Sequence, residues 1–358
     1  MVLLNLETAV SDPTGSGPVK SIHLRLAPAD LAVLEPYRSN MVVCLANNHV
    51  HDCGPDGYAA TLRHLADRGL RVVTHEAPRV VQAGARRFAV YALYQRFRNS
   101  LHRTMFHQSR ADGVLLPDAH EHIVFVHWGD EHVLFPAPWQ VILARKWHSW
   151  GISTVVGHHS HTAQGIDLDG ANATAYSLGN LNMVQPDIAH SPYNSLGYGL
   201  SITYGESGID HVERLSYLID SSARPRPIPP EATSDYWQTL DEMAVRQGHG
   251  KLVPYLRYWR HSARRHIRNN LVGGFLPRIR KGGLKQAAIM CAWLVWPNRT
   301  LCRYPFLLLP DDRVWRQFGH FWDRWRAYPG RFADASEAGT TAADLGLMPV
   351  LTGSDSTK

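Results

Sequence analysis

Residues 155–165, VVGHHSHTAQG, place three histidines within five positions, between two glycines and directly after a β-branched run. Imidazole nitrogens at that density suit a borderline divalent cation such as zinc, manganese or iron, which takes nitrogen and oxygen donors at about 2.0 to 2.2 Å. In an extended or turning segment residues i and i+2 face one side, so His159 and His161 are expected to share a site while His158 points away. His127 closes the apolar run HIVFVH, and Asn47, Asn48 and His49 follow MVVCLA. Two cations about 3.5 to 4 Å apart would activate a water and clamp the oxygens of a phosphoryl group. The chain has 21 histidines, and a lone strand-end histidine is more often a structural hydrogen-bonder. It is the three clusters together that indicate a metal site.

All three clusters follow short apolar runs, and an open α/β sheet builds its site at such strand ends. MVVCLA (41–46), FAVYAL (88–93), HIVFVH (122–127), STVVG (153–157) and TAYSL (174–178) read as buried strands. Between them, GPDGYAATLRHLADRGL carries Ala59, Leu62, Leu65 and Ala66 at helical spacing, with Gly69 where a C-terminal cap belongs. Asp52 is expected to cap this helix, which begins near Pro55. PAPWQVILARKWHSWGI has Pro138 at a first helical position, a stripe of Trp139, Ile142, Leu143 and Trp150, and Gly151 to close it. GLSITYGESGIDHVERLSYLI (199–219) reads as a hairpin turning at 206–208. The alternation predicts an α/β domain over residues 1–220.

A chain of 358 residues suffices for one large α/β domain with an appendage, and 44% hydrophobic content supports a sizeable core. No run approaches the roughly 18 to 20 apolar residues of a spanning helix; the nearest, 287–296, is about half that. The start, MVLLNLETAV, lacks the basic head, long apolar stretch and small-residue cleavage site of a secretory signal. Cys44, Cys53, Cys291 and Cys302 show no CxxC spacing and read as buried or free thiols, compatible with a reducing compartment. The net charge of +6 is unevenly spread: 243–310 hold 13 Lys or Arg and no Asp or Glu, so the rest of the chain is net acidic.

SSARPRPIPPEATS, 221–234, has the Pro and Ser content of a linker. Residues 235–332 are expected to form an Arg- and Trp-rich helical extension, with helices at about 235–270 and 283–296, and 333–358 a disordered tail. Within the extension Arg257, Arg260, Arg264, Arg265 and Arg268 fall at helical spacings beside a stripe of Leu256, Trp259, Ala263 and Ile267, a basic amphipathic helix. Such a face suits an anionic membrane surface, where each basic residue adds about 1 kcal/mol, or an anionic polymer. It serves equally well as a solvated face packed on its own domain. No nucleic-acid motif accompanies the charge, so no nucleic-acid partner is expected.

NLETAVS (5–11), LANNHVHDCGPDGYAATLRHL (45–65), VHWGDEH (126–132), GHHSHTAQGID (157–167) and AYSLGNL (175–181) follow one another in the order and spacing of the bacterial CapA family, which the chain resembles over residues 1–220. These are capsule and poly-gamma-glutamate synthesis proteins with a calcineurin-like metallophosphoesterase fold. The resemblance implies a two-sheet α/β sandwich flanked by helices, and a site for two divalent cations, manganese, zinc or iron. By position it implies that Glu7 is the metal-bridging carboxylate and Asn48 an amide ligand, and that His127, His159 and His161 complete the metal sphere. His49 would be the outer histidine that donates a hydrogen bond or proton to the departing oxygen. Asn5 and Glu131 look like residues that orient the ligands, with a plain strand-end hydrogen bond an equal reading for Asn5. YSLGN is expected to turn tightly beside the site, with Gly179 there for backbone shape.

One motif departs from the family pattern. Its proteins open with a strand ending in Gly-Asp, whose carboxylate is a ligand, some tens of residues before Asn-Leu-Glu; here Met1 lies four residues before Asn5. Either the protein continues upstream or this copy has degenerated to a one-metal or metal-free form, and the first is the expectation because the other motifs are intact. The chain as it stands implies a cytoplasmic location; an upstream segment would admit the cell envelope. The expected function is a CapA-type metal-dependent hydrolase in capsular or cell-envelope polymer metabolism, acting on an anionic polymer or phosphate-bearing substrate. Two alternatives stand beside it: an isomerase or epimerase moving a proton on a peptide or amino-acid substrate, and a non-catalytic export or assembly factor that holds an anionic polymer.

Overall fold

The computed structural model of the chain describes residues 1–11, 23–94, 115–183, 194–220 and 222–247. The expected basic helix with Arg257, Arg260, Arg264, Arg265 and Arg268, the helix at 283–296 and the tail at 333–358 lie outside these residues. In chain order the strands are β1 (Val2–Asn5), β2 (Ala9–Val10), β3 (Arg25–Leu26), β4 (Met41–Cys44), β5 (Arg71–Val73), β6 (Arg79–Ala83), β7 (Arg86–Tyr94), β8 (Glu121–His127), β9 (Thr154–His158), β10 (Ile166–Asp169), β11 (Asn172–Ala175), β12 (Leu196–Gly205), β13 (Gly208–Ile219) and β14 (Pro225–Pro227). The α-helices are α1 (Gly54–Asp67), α2 (Pro138–His148) and α3 (Pro230–Gln247).

Two of the sheets face each other. One is parallel and three-stranded, in the order β1-β4-β5; the other has six strands, in the order β10-β11-β9-β8-β7-β6. The period-two alternation of β4 shows why its run is apolar throughout. Met41, Val43 and Leu45 turn outward to Leu65 and Leu62 of α1, while Val42, Cys44 and Ala46 turn inward to Val90, Ala92, Phe125 and Val156 of the larger sheet. The far face of that sheet, through Tyr91, Val124, Val126 and Val155, packs on Val141, Leu143, Ala144 and Trp147 of α2. The layers are therefore helix, sheet, sheet and helix, a two-sheet sandwich flanked by helices. In α2 the buried stripe runs through Val141, Ala144 and Trp147, and Ile142, expected inside, is 47% exposed. Both faces of this helix are apolar in sequence, so packing against the sheet decides which one is buried.

Residues 221–234 do not behave as a linker. Pro225–Pro227 pairs antiparallel with β13 as the outer strand of the sheet β12-β13-β14, and α3 begins at Pro230. An edge strand tolerates proline because its N–H side needs no partner. Trp237 and Leu240 of α3 then pack with Tyr198, Leu218 and Ile166, and Asp241 accepts the backbone N–H of Ile166 at 2.7 Å. The helix thus belongs to the α/β domain. The hairpin at its base is β12 and β13, which turn between Gly205 and Gly208.

The site follows from this frame. β1, β4, β8 and β9 are parallel to their neighbours, and their carboxyl ends fall on one edge of the sandwich. His127 follows Phe125 by two residues and His158 follows Val156 by two, so both rings emerge on the side facing the smaller sheet.

Candidate metal centre

Glu7 sits two residues beyond β1 with a side chain 18% exposed. Its Oε2 accepts a hydrogen bond from Asn5 Nδ2 at 3.2 Å, and its Oε1 has no hydrogen-bond partner and lies 3.5 Å from His127 Nε2. Asn5 Oδ1 in turn accepts from Asn47 Nδ2 at 3.1 Å, and Asn47 Nδ2 also reaches the carbonyl of Leu6 at 2.9 Å. Asn47 Oδ1 accepts the backbone N–H of His49 at 3.1 Å. These amides tie the end of β1 to the loop after β4, and so fix Glu7, Asn48 and His49 relative to one another.

The structure brings Glu7, His127 and His159 together, with one donor atom from each lying within 4.8 Å of the other two. Asn48 Oδ1 lies 2.6 Å from His127 Nε2. The His161 ring is 6.3 Å from that of His159, and its Nδ1 donates to Asn180 Oδ1 at 2.8 Å. His49 faces Asp52: Nδ1 donates to Oδ2 at 2.6 Å, and the same oxygen accepts the backbone N–H of Leu24 at 2.8 Å. Asp52 therefore orients His49 and does not cap α1, whose N-cap is Cys53 with no side-chain bond. Glu131, 51% exposed, comes to 3.8 Å of His132 Nε2, and its charge is also felt at Glu7.

The histidine segment is shaped by backbone rather than by pleat. His159 and His161 have φ of 98° and 54°, and His132, stacked on His161 with ring centroids 5.8 Å apart, has φ of 61°. Side chains adopt this left-handed region at a cost of order 1 kcal/mol each. The loop is held there by neighbours: His132 N–H donates to the Ser160 carbonyl at 2.6 Å, and the Thr162 hydroxyl and Gln164 amide both donate to the Val133 carbonyl, at 2.7 and 2.8 Å. Gly157 opens the segment where a Cβ would stand 2.0 Å from the Tyr176 carbonyl oxygen and 2.3 Å from Trp128 Nε1. Gly179, in the YSLGN turn, has φ of 80° and would bring a Cβ to 2.9 Å of the Leu196 carbonyl. His158 does not point out of the way as expected. It is buried with its ring 4.8 Å from both Phe125 and His127, and both its nitrogens lack hydrogen bonds.

Burial dominates the electrostatics. It pushes the Glu7 carboxyl up to about 7, opposed by His161 nearby and reinforced by Glu131. It pushes His158 and His159 down to about 3, with neighbouring imidazoles adding to the effect, and holds His127 well below the usual histidine range. At neutral pH these three imidazoles are neutral, the form that ligates a metal. A divalent cation fits this set. It compensates the negative charge that burial disfavours on Glu7, and it takes the lone pairs that Glu7 Oε1 and His159 Nδ1 direct at no protein donor. Two His nitrogens, a carboxylate and a neighbouring amide oxygen are ligands of the borderline type suited to zinc, manganese or iron.

Sequence reading missed Asp52 as the partner of His49, and it missed Asn180, which lies 19 residues from His161 in the chain. The His161–Asn180 pairing leaves no local signal, because it is made by loops that meet only in the folded sheet order; His49 and Asp52 lie three residues apart, and that spacing serves a helix cap equally well.

Residues 1–185 match the family described as bacterial capsule synthesis protein PGA_cap. The PGA biosynthesis protein CapA of Bacillus subtilis is 28% identical over 180 residues, which cover 45% of this chain and 47% of that protein. A probable polyglutamine synthesis accessory protein of Mycobacterium tuberculosis is 27% identical over 207 residues, covering 50% and 54%. The chain spans about half the length of these curated relatives. A solved structure of a putative 5'-nucleotidase from Staphylococcus aureus in complex with alpha-ketoglutarate aligns with 61% of this chain and 46% of that one, with a TM-score of 0.36 and 15% identity, a likeness too distant to bear on function.

Proposed function

The chain belongs to the bacterial capsule synthesis protein family PGA_cap, and from that premise we propose that it is a metal-dependent hydrolase acting in the biosynthesis of capsule, poly-gamma-glutamate or another cell-envelope polymer. The observation that carries this reading is the convergence of Glu7, His127 and His159 donor atoms within 4.8 Å, with Glu7 Oε1 and His159 Nδ1 left without hydrogen-bond partners. Glu7, His127 and His159 would hold the cation, with Asn48 and His161 completing its sphere. When bound, a divalent cation supplies a nucleophilic water at neutral pH and polarises the phosphoryl or carbonyl oxygen of the substrate.

The protein's own groups do the rest. Asn5 and Asn47 keep the Glu7 carboxylate turned toward His127. His49 commits its Nδ1 proton to Asp52, so Nε2 is the edge from which it would donate a hydrogen bond or proton to the departing oxygen. Asp52 is 1% exposed, which protects that bond from water. The stretch bearing Arg257, Arg260, Arg264, Arg265 and Arg268 would draw an anionic polymer or anionic membrane surface to the protein. Among the described residues no helix is long and apolar enough to cross a membrane.

The test is metal content after purification together with turnover of a generic phosphodiester. Metal with turnover is the expected result. Metal without turnover would favour the isomerase reading or a narrow substrate. Neither would favour the assembly factor, a role in keeping with the accessory function for which the mycobacterial relative is named. For the extension, the five arginines replaced by serine in the full chain should abolish salt-sensitive binding to polyglutamate and to phosphatidylserine vesicles. Undiminished binding would remove the extension from the reading.

A further inference from the structure

We propose that Asn180 is a positioning residue that selects the ring nitrogen His161 turns toward the metal cluster. The bond it makes decides which of the two imidazole nitrogens carries the proton. This deepens the metal-site reading and rests on it, in that His161 is taken to face a cation.

A backbone carbonyl oxygen can only accept, and that of Asn194 receives Asn180 Nδ2 at 3.1 Å. This fixes which end of the Asn180 amide is nitrogen. The other end, Oδ1, can also only accept, and it lies 2.8 Å from His161 Nδ1. Nδ1 must therefore hold the proton, and Nε2 of the neutral ring is left as the lone-pair nitrogen. With Nδ1 engaged, Nε2 is the nitrogen His161 has available for the cluster, where His159 is its ring neighbour. A histidine ligand needs its second nitrogen to donate in this way, which fixes both the tautomer and the plane of the ring.

Asn180 is itself held from several sides. It is buried, its own carbonyl accepts the Tyr217 hydroxyl at 3.0 Å, and it follows Gly179 in its left-handed turn. Gly197 passes so close that a Cβ there would stand 2.6 Å from the Asn180 carbonyl oxygen. The amide is thus positioned by β12 and β13 in the third sheet, and it acts on a histidine in the loop after β9. The turn read from sequence as backbone shape alone carries the side chain that orients a ligand.

The experiment is a long-range proton–nitrogen correlation spectrum of the full chain, labelled with nitrogen-15 at histidine and treated with a chelator. A His161→Gln sample assigns the His161 ring. The expected spectrum shows Nδ1 protonated and Nε2 bare. A wild-type ring protonated on Nε2 overturns the proposal and needs no folded variant to do so. In Asn180→Leu the fixed tautomer should be lost, and zinc affinity, measured by competition with a chelating dye, should fall 10- to 100-fold. Asn180→Asp keeps an acceptor for the same proton and should recover most of that affinity. Zinc affinity unchanged in Asn180→Leu would overturn the positioning role. A wild-type protein that binds no zinc while His161 carries its Nδ1 proton defeats the cation reading alone, which keeps the two failures apart.

Discussion

If Glu7 is kept for a cation, it should be a liability without one. Its carboxyl is pushed from 4.5 to about 7 in the folded chain, because burial opposes the charge. A folded value above the unfolded one means that the protonated form is the stabilising form. That contribution is fully present below about 4.5 and is lost as the pH rises through 7. A displacement of this size is worth about 3 kcal/mol once complete, and about 2 kcal/mol of it falls between pH 5 and pH 8. Glu7→Gln removes the ionisation and keeps the shape and the acceptor for Asn5. In the presence of a chelator, the variant should therefore match or exceed the wild type at pH 8, and the difference between the two should shrink by about 2 kcal/mol at pH 5. The buried histidines titrate in both proteins and cancel in that difference. Urea unfolding at several pH values measures it. Zinc should reverse the order, because binding to the folded wild type adds stability by mass action and the variant has lost a ligand. Parallel pH curves for the two proteins, or a variant less stable than the wild type at pH 8 with chelator, would refute the argument that Glu7 is an uncompensated buried carboxylate.

Four further outcomes follow from single contacts. His158→Leu removes two buried ring nitrogens that have no partners and should stabilise the protein by about 1 kcal/mol at pH 8. Because His158 holds a folded value of about 3, the wild type loses stability as pH falls below about 6.5, so the gain should be about 2 kcal/mol larger at pH 5; a tenfold drop in zinc affinity would instead make His158 a ligand. Gly157→Ala drives a Cβ into the Tyr176 carbonyl and Trp128 Nε1, and should cost about 3 kcal/mol or more, seen as loss of soluble protein or a much lower melting point. Thr61→Val leaves the Val10 N–H without the hydroxyl that accepts it at 2.8 Å, and should cost about 1 to 3 kcal/mol in urea unfolding. Asp52→Ala should leave zinc content intact but lower phosphodiester turnover at least about tenfold, since it frees His49 while sparing the proposed ligands; unchanged turnover would remove His49 from the chemistry.

The sandwich was legible where local and tertiary demands agree. MVVC reads as a strand because both its faces are buried, between α1 and the larger sheet, and the Ala59–Leu62–Leu65–Ala66 spacing places α1 over it. Two-residue strands such as β2 and β3 have no periodicity to detect. The stretch at 221–234 misleads because proline marks a linker and an edge strand alike, and only the open side of β13 distinguishes them. Asp52 misleads for a similar reason: an acidic residue just before a helix is as well placed to bond His49 three residues back as to cap the helix ahead.

The histidine segment shows why the ligand set was legible while its geometry was not. Alternation predicts that His159 and His161 face one side, because strand residues i and i+2 do. The chain instead leaves the strand at His158 and takes positive φ at both His159 and His161, so the two rings are brought near each other by a strained bend. Residue type already announced the chemistry, since imidazoles crowded at strand ends suit little else. Their arrangement depends on Ser160, Thr162 and Gln164 finding partners at Val133 and Ser177, and on Asn180 reaching His161 across 19 residues. Backbone strain of this kind persists only where surrounding contacts outweigh it. That three of the four non-glycine residues with positive φ among the described residues, His132, His159 and His161 but not Ala223, gather around the proposed site is therefore an argument for function independent of ligand type: a fold selected for stability alone would place glycine or asparagine there.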